Sequence, residues 1–291
     1  MARILVLGAG GRVGRLLRRA WPKTIDGQAF FHARRAETGI HWVTDLYSNI
    51  DPPIEFREID AVCVLAGATR GNATELFANT DLALAGMRLA RKLGTPRFFA
   101  MSSAAVYGVS SSPHSETEPA KPLGAYGAAK LAMEEALLAE LKTGDPAITI
   151  LRLGNVVGAD MLADMARQAS VENPLLLDQL PNGYGPARAY IGAVELARVI
   201  AQLATIMPQK QYHILNVAQA GPPIAMNALL DGLRDVGHPI PWAWRPAPTS
   251  VLASLELDTQ ELSSLMGPSA FQPASAAQLA RDWLMLTGPD L

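Results

Sequence analysis

The chain has 291 residues, 49% of them hydrophobic, which is enough to bury a sizeable core as one large domain or as two lobes. Its 25 basic and 27 acidic residues leave a formal net charge of -2, so charge gives no reason to expect nucleic acid or an anionic membrane as the principal partner. Cys63 is the single cysteine, which excludes an internal disulfide and a Cys-based metal site, and no run approaches the ~18 apolar residues of a membrane span.

The N-terminus enters a strand pattern at once, without the shape of a signal peptide, so a cytoplasmic protein is expected. Arg3 to Leu7 (RILVL) reads as a short strand ending in glycines. A helix from about Gly11 to Trp21 follows, then a second strand in QAFFHA. The basic cluster from Arg12 (RVGRLLRRAWPK) has the spacing of a solvated helix side. IDAVCVLAG from Ile59 repeats the strand-to-glycine pattern and makes Cys63 a buried small hydrophobe. LFANTDLALAGMRLARKLG is a helix closed by Gly94, and PRFFAMSS is another strand. A Ser/Pro/Glu-rich loop spans Val109 to Pro122, a helix carries Tyr126 and Lys130, and AITILRLGNVVG is again a strand leading into glycine.

This alternation predicts an α/β fold of Rossmann type, a doubly wound parallel sheet with a smaller C-terminal lobe. The dinucleotide-binding part is placed at residues 1–158 and the lobe at 159–291, where PNGYGP, AGPP and HPIPWAWRPAP separate shorter elements. YHILNV, at 212–217, reads as a strand that rejoins the main sheet.

Gly8, Gly11 and Gly14 fall where the first strand gives way to a helix. Glycine there lets the backbone approach a pyrophosphate, and the helix N-terminus offers free N–H groups. Arg12 and Val13 lie in the same turn. The end of the second strand normally reports the dinucleotide, because an acid accepts from a ribose 2'-hydroxyl whereas arginine pairs with a 2'-phosphate. Here the segment is HARR, and the nearest acids, Asp26 and Glu37, fall before and after the strand end. Arg34 and Arg35 favour NADP(H), with NAD(H) as the alternative if they are only surface arginines.

LGAYGAAK puts Tyr126 and Lys130 four apart, on one face of a helix. A free tyrosine titrates near ~10, and a nearby ammonium together with an oxidised nicotinamide would favour its phenolate. Ser102 and Ser103, at the end of the preceding strand, offer a hydroxyl for a substrate oxygen.

Gly8-x-x-Gly-x-x-Gly, DAVCVLAG at Asp60, the helix near Asn79, MSSAAVYG at Met101, ETEPAKPLGAYGAAK and LRLGNVVG at Leu151 together resemble an extended short-chain dehydrogenase/reductase of the NAD-dependent epimerase/dehydratase group. The resemblance covers roughly the first 160 residues in order. It implies that Ser103 is the hydroxyl donor, Tyr126 the acid/base and Lys130 its electrostatic partner, which also bonds the nicotinamide ribose. Asp45 and Leu46, and Leu65, Ala66 and Gly67, are similar to segments that line the adenosine and phosphate groove.

Further on, ARAYIGAVELA resembles the family's RDYIHVxDLA segment and RPAP its closing arginine-proline segment. By that likeness Asn155, Arg188 and Arg245 contact the diphosphate of a nucleotide sugar, although Ala189 and Gly192 replace residues that are usually polar. Ala104 and Ala105 stand where the family's 4,6-dehydratases carry an Asp-Glu pair, which argues against elimination and leaves ketone reduction or epimerisation. A reductase of non-nucleotide carbonyl compounds, and a non-enzymatic dinucleotide sensor, are the alternatives. The family also implies a homodimer through a four-helix interface that includes the Tyr126 helix.

The five histidines show no ligand spacing and most read as surface or strand-end residues, so no metal is expected. The acids of HSETE read as solvated, and Glu134 as an i to i+4 partner of Lys130.

Overall fold

The computed structural model describes residues 1–24, 27–48, 51–267 and 273–287. Asp26, one of the two acids weighed for cofactor choice, lies outside the described residues. The chain divides into two compact units, one of residues 1–108, 116–153 and 197–216, the other of 109–115, 154–196 and 217–291.

In the first unit, apolar strands alternate with amphipathic helices, and the strands buried on both faces read as near-continuous hydrophobic runs. The elements are β1 (Ala2–Leu7), α1 (Arg12–Thr24), β2 (Gly27–Ala33), β3 (Trp42–Val43), β4 (Ala61–Val64), α2 (Ala73–Leu93), β5 (Arg97–Ser103), α3 (Ala125–Ala139) and β6 (Ala147–Leu153). The chain then forms β7 (Asn155–Val156), α4 (Met161–Gln168), β8 (Leu175–Gln179), β9 (Ala187–Arg188), β10 (Tyr190–Ile191) and α5 (Ala193–Leu203), and returns as β11 (Tyr212–Val217).

The main sheet has seven strands in the order β11-β6-β5-β4-β1-β2-β3. Neighbours from β3 through β6 pair in parallel. The segment read as YHILNV forms the edge strand beyond β6. Strand order reverses between β1 and β4, and in doubly wound sheets the ligand crevice opens at the carboxyl ends of such a pair. Leu5, Leu7, Val62, Val64, Phe98 and Ile148 form the buried centre of this unit.

α2 begins three residues earlier than the hydrophobic pattern suggests. Asn72 accepts from the Glu75 N–H while the Glu75 carboxylate accepts from the Asn72 N–H, a reciprocal cap that extends the helix into polar sequence. It ends as expected on Gly94, whose φ of 65° suits a residue without Cβ. In the basic cluster of α1, Arg15 and Arg19 are exposed, whereas Arg18 is half-buried and bonds the Thr38 carbonyl and the Glu37 carboxylate, both at 2.5 Å.

The second unit continues with β12 (Ile224–Ala225), α6 (Met226–Asp235), β13 (Trp242–Pro246), β14 (Ser254–Leu255), α7 (Gln260–Met266) and α8 (Ala276–Thr287). Its small sheets are β10-β7, β12-β9-β14 and β13-β8. Their apolar faces and the helices α4, α6 and α8 enclose a core around Leu162, Tyr190, Leu229 and Trp283.

Among the described residues no helix is long and apolar enough to cross a membrane, and no group of three or more His, Cys, Asp or Glu is placed to hold a metal. His32 and His114 are buried, the first near the end of β2 and bonding the Thr44 carbonyl at 3.0 Å through Nε2, the second joined by its backbone to Glu256 and Asp258. Glu116 of HSETE is likewise bonded, accepting from the Asn216 N–H at 2.9 Å.

Candidate active site

The glycine turn occupies the expected place. Gly8 follows β1 at φ 83°, and a Cβ on it would stand 2.5 Å from the Cα and N of Ala66, so the turns after β1 and β4 touch. A Cβ on Gly14 would lie 2.4 Å from the Cα of Ala9, which lets α1 press onto the turn. α1 starts at Arg12 with no acid in its first turn, and Arg12 Nη2 donates to Thr69 Oγ1 at 2.9 Å. Val13 occupies the same first turn.

Leu65, Ala66 and Gly67 run directly beside this turn, with the Leu65 N–H on the Leu7 carbonyl at 2.8 Å. At Gly67 a Cβ would stand 2.1 Å from Asn79 Oδ1 and 3.5 Å from Lys130 Nζ. Asn79 is fully buried, and although its Nδ2 donates to the Ala68 and Leu76 carbonyls, its Oδ1 has no partner. The sequence reading used Asn79 only as a landmark of its helix. Nothing local marks its oxygen, since the neighbourhood is made by β4 and α3 together.

A bare backbone cradle at the sheet's switch point, a helix N-terminus free of acids and an orphaned buried acceptor fit a dinucleotide. Gly8, Gly11, Arg12, Val13 and Gly14 could hold its pyrophosphate. Arg34 and Arg35 are exposed just past β2. Asp45 follows β3, where its Oδ1 accepts from the Tyr47 N–H at 3.0 Å, and Leu46 packs against the unit's core.

Ser103 and Tyr126 meet in this same unit, and Lys130 lies one helical turn from Tyr126 on α3. The Tyr126 phenol hydrogen-bonds the Ser103 side chain. Burial holds the phenol above its ordinary range, and the Ser103 bond and the charge of Arg12 oppose that rise. Lys130 is buried, with Nζ donating to the Met101 carbonyl at 2.8 Å, and burial draws its pKa down to about 8. Ser103 Oγ also accepts from the Ala105 N–H at 3.2 Å.

Glu134 does not pair with Lys130 as its spacing suggested. Its carboxylate instead meets Arg152 at 2.7 Å and accepts from Ser102, because β6 supplies a guanidinium on that side of the helix.

The second unit holds the other candidates. Asn155 lies opposite Tyr190 in the β7/β10 pair, and its Nδ2 donates to Asp160 Oδ2 at 3.0 Å. Arg188 is mostly enclosed, its Nη1 on the Ala187 carbonyl at 2.7 Å. Burial lowers its pKa while Tyr190 and Asp160 counter that. Asp160, unremarked in the sequence, therefore sits among Asn155, Arg188 and Tyr190, and burial raises its carboxyl. Arg245 belongs to a different sheet, where its Nε bonds Asp178 at 2.6 Å across the β13/β8 register.

Residues 4–218 match the model of the NAD dependent epimerase/dehydratase family. The chain is 29% identical over 208 residues to a UDP-glucose 4-epimerase of Corynebacterium glutamicum, covering 63% of this chain and 62% of that protein. It is 32% identical over 172 residues to a dTDP-6-deoxy-L-talose 4-dehydrogenase (NAD(P)(+)) of Kitasatospora kifunensis, covering 54% of each. The matched regions thus span under two thirds of either relative's own length. The fold matches that of a UDP-glucose 4-epimerase from Bifidobacterium longum solved with NAD+ and UDP, at a TM-score of 0.78 and 18% identity over the whole of both chains. With a family match running from β1 through β11, this chain belongs to the NAD dependent epimerase/dehydratase family, within the extended short-chain dehydrogenases/reductases.

Proposed function

We propose that the protein is an NADP(H)-dependent oxidoreductase or epimerase acting on a keto or hydroxyl group of a nucleotide-activated sugar. The observation that carries this reading is the Tyr126–Ser103 hydrogen bond, one helical turn from the buried amine of Lys130. A phenol, a second hydroxyl and an ammonium gathered in a water-poor site suit proton transfer to or from a secondary alcohol. In this reading residues 1–158 hold the dinucleotide and 159–291 the substrate.

When bound, the nicotinamide supplies or accepts the hydride. Tyr126 gives the proton to the substrate oxygen, or takes it, while Ser103 holds that oxygen by a hydrogen bond. Lys130 favours the phenolate and bonds the nicotinamide ribose. Gly8, Gly11, Arg12, Val13 and Gly14 bind the pyrophosphate, with Leu65, Ala66 and Gly67 beside them and Asp45 and Leu46 at the adenosine end. Arg34 and Arg35 take the 2'-phosphate. Asn155, Arg188 and Arg245 are assigned to the nucleotide diphosphate of the substrate.

The family includes dehydratases as well as epimerases. Ala104 and Ala105 supply no acid or base for elimination, which supports reduction or epimerisation here. A carbonyl substrate without a nucleotide is the second reading, favoured by Ala189 and Gly192, which leave the segment after Arg188 without polar groups for a diphosphate. A homodimer in solution belongs to this reading. We place its interface on the face shared by α2 and α3, where Phe77 and Leu138 are exposed.

The test is Tyr126→Phe, assayed with NADPH and NADH against UDP- and dTDP-4-ketohexoses and a panel of simple ketones. Turnover is expected to fall by about a hundredfold or more with dinucleotide affinity unchanged. Wild-type turnover in the variant would refute the reading and favour a dinucleotide sensor.

A further inference from the structure

Beneath the Tyr126–Lys130 helix lies a group of buried polar side chains that the proposed reaction does not use. Arg152 on β6 meets Glu134 on α3 through two nitrogens, Nε at 3.1 and 3.2 Å from the two carboxylate oxygens and Nη2 at 2.7 Å from Oε2. Glu134 is 2% exposed and Arg152 4%. Ser102 on β5 donates its hydroxyl to Glu134 Oε1, and the Tyr212 hydroxyl on β11 reaches the Glu134 carbonyl at 3.3 Å. Arg152 Nη1 donates to the Tyr107 hydroxyl at 3.0 Å, and Tyr107 donates in turn to Asn216 Oδ1 at 2.8 Å. The Glu134 carboxylate therefore joins α3 to β5 and β6, and its backbone carbonyl reaches β11.

Burying two charges costs as much solvation as their attraction returns, so an apolar pair of the same volume would hold these elements at least as well. Stability alone does not account for the pair. Its location does, because Glu134 lies one turn beyond Lys130 and its partner Ser102 precedes Ser103.

We propose that the Glu134–Arg152 pair is the positioning device of the Tyr126–Lys130 helix, committing Ser102 to the carboxylate so that Ser103 faces Tyr126, and setting a negative charge one turn from Lys130. The proposal rests on Ser103, Tyr126 and Lys130 being the reacting set. Ser102 bonds Glu134 farther along α3 while Ser103, the last residue of β5, bonds Tyr126 in the helix's first turn, so the two serines meet the helix at different points.

The charge acts on the amine. Burial pulls Lys130 toward its neutral form, and Glu134 is the charge that opposes this. The groups facing the amine and the carboxylate are Arg152 from β6, Ser102 and the Met101 carbonyl from β5, and Tyr212 from β11. Asn79 from α2 lies across Gly67, and Tyr126 is on α3 itself. Glu134 is the only acid in this set. Glu134 therefore favours the protonated amine that the effect on the phenol needs.

The experiment is a pH titration of the full chain carrying 13C at lysine Cε, followed by NMR, with the Lys130 signal assigned from Lys130→Met. Glu134→Gln is expected to move the Lys130 midpoint down by about one unit. Arg152→Met leaves the carboxylate without its guanidinium and is expected to move it up. Arg152→Lys, which keeps the charge, stays near the wild type. Opposite signs are the signature, since a packing defect would push both variants the same way. A midpoint that does not move, or moves in one direction in both, overturns the proposal. The titration needs no substrate, so its failure is separate from that of the Tyr126→Phe assay.

Discussion

The Ala105 carbonyl lies so close under Gly127 that a Cβ on the glycine would stand 2.0 Å from its oxygen. The first turn of α3 therefore rests on the backbone that follows β5, and this contact brings Tyr126 to Ser103. Backbone on both sides cannot give way as a flexible side chain would. Gly127→Ala is expected to cost about 1–3 kcal/mol of stability by overpacking, read in urea unfolding. Turnover should fall further than dinucleotide affinity, and a variant as active as the wild type would contradict the placement.

Ser103 should act on the phenol as well as on the substrate. Its hydrogen bond restrains the rise that burial imposes on Tyr126, so Ser103→Ala lets the phenol titrate at higher pH. Because the ionised form then appears only in more alkaline solution, the limb of the pH–rate profile for alcohol oxidation that depends on the phenolate is expected to shift upward. The rate at neutral pH should fall by about ten- to a hundredfold. A lower rate with an unmoved limb would confine Ser103 to substrate binding.

Cofactor choice can be tested separately from catalysis. Arg34 and Arg35 stand exposed past β2, and each charge-assisted bond to a phosphate contributes about 1.5–3 kcal/mol. Changing both to alanine is expected to weaken NADPH binding by about tenfold or more while NADH binding is retained, as measured by fluorescence titration. Equal losses for the two dinucleotides would show that the arginines do not read the 2'-phosphate.

Arg91 and Asp145 form a two-point pair, Nε to Oδ1 at 2.8 Å and Nη2 to Oδ2 at 2.6 Å, which ties α2 to the turn before β6. These bonds hold the Asp145 carboxyl below its ordinary value. An acid depressed in the folded state contributes its stabilisation above the unfolded pKa and loses it as pH falls through the folded one. Asp145→Asn should therefore lower stability by about 1 kcal/mol at neutral pH, a modest figure because solvent screens the pair. The gap from wild type should close as pH drops below 3.8, the carboxyl's ordinary value. A gap independent of pH in denaturant titrations would assign the loss to packing.

Much of the frame was legible because its signals are local. RILVL, AVCV and RFFAMSS are apolar runs bounded by turn residues, and Gly8 and Gly14 mark places where only a bare backbone fits. Glu134 was misread for the opposite reason. Its spacing from Lys130 is a property of one helix, whereas its partner Arg152 arrives on a strand 18 residues later. Glu116 has the local pattern of a solvated acid and nothing local marks His114 as buried, and their partners likewise come from other segments of the chain.

From the sequence alone came the order of strands and helices, the glycine turn and the four-residue spacing of Tyr126 and Lys130, all of which are set by periodicity and backbone freedom over a few residues. Only the tertiary structure decided that Asn79 aims an unpartnered oxygen toward Gly67 and that Glu134 answers to Arg152. Those choices depend on which groups share a volume emptied of water, and that is determined by strands and helices packing across long separations in the chain.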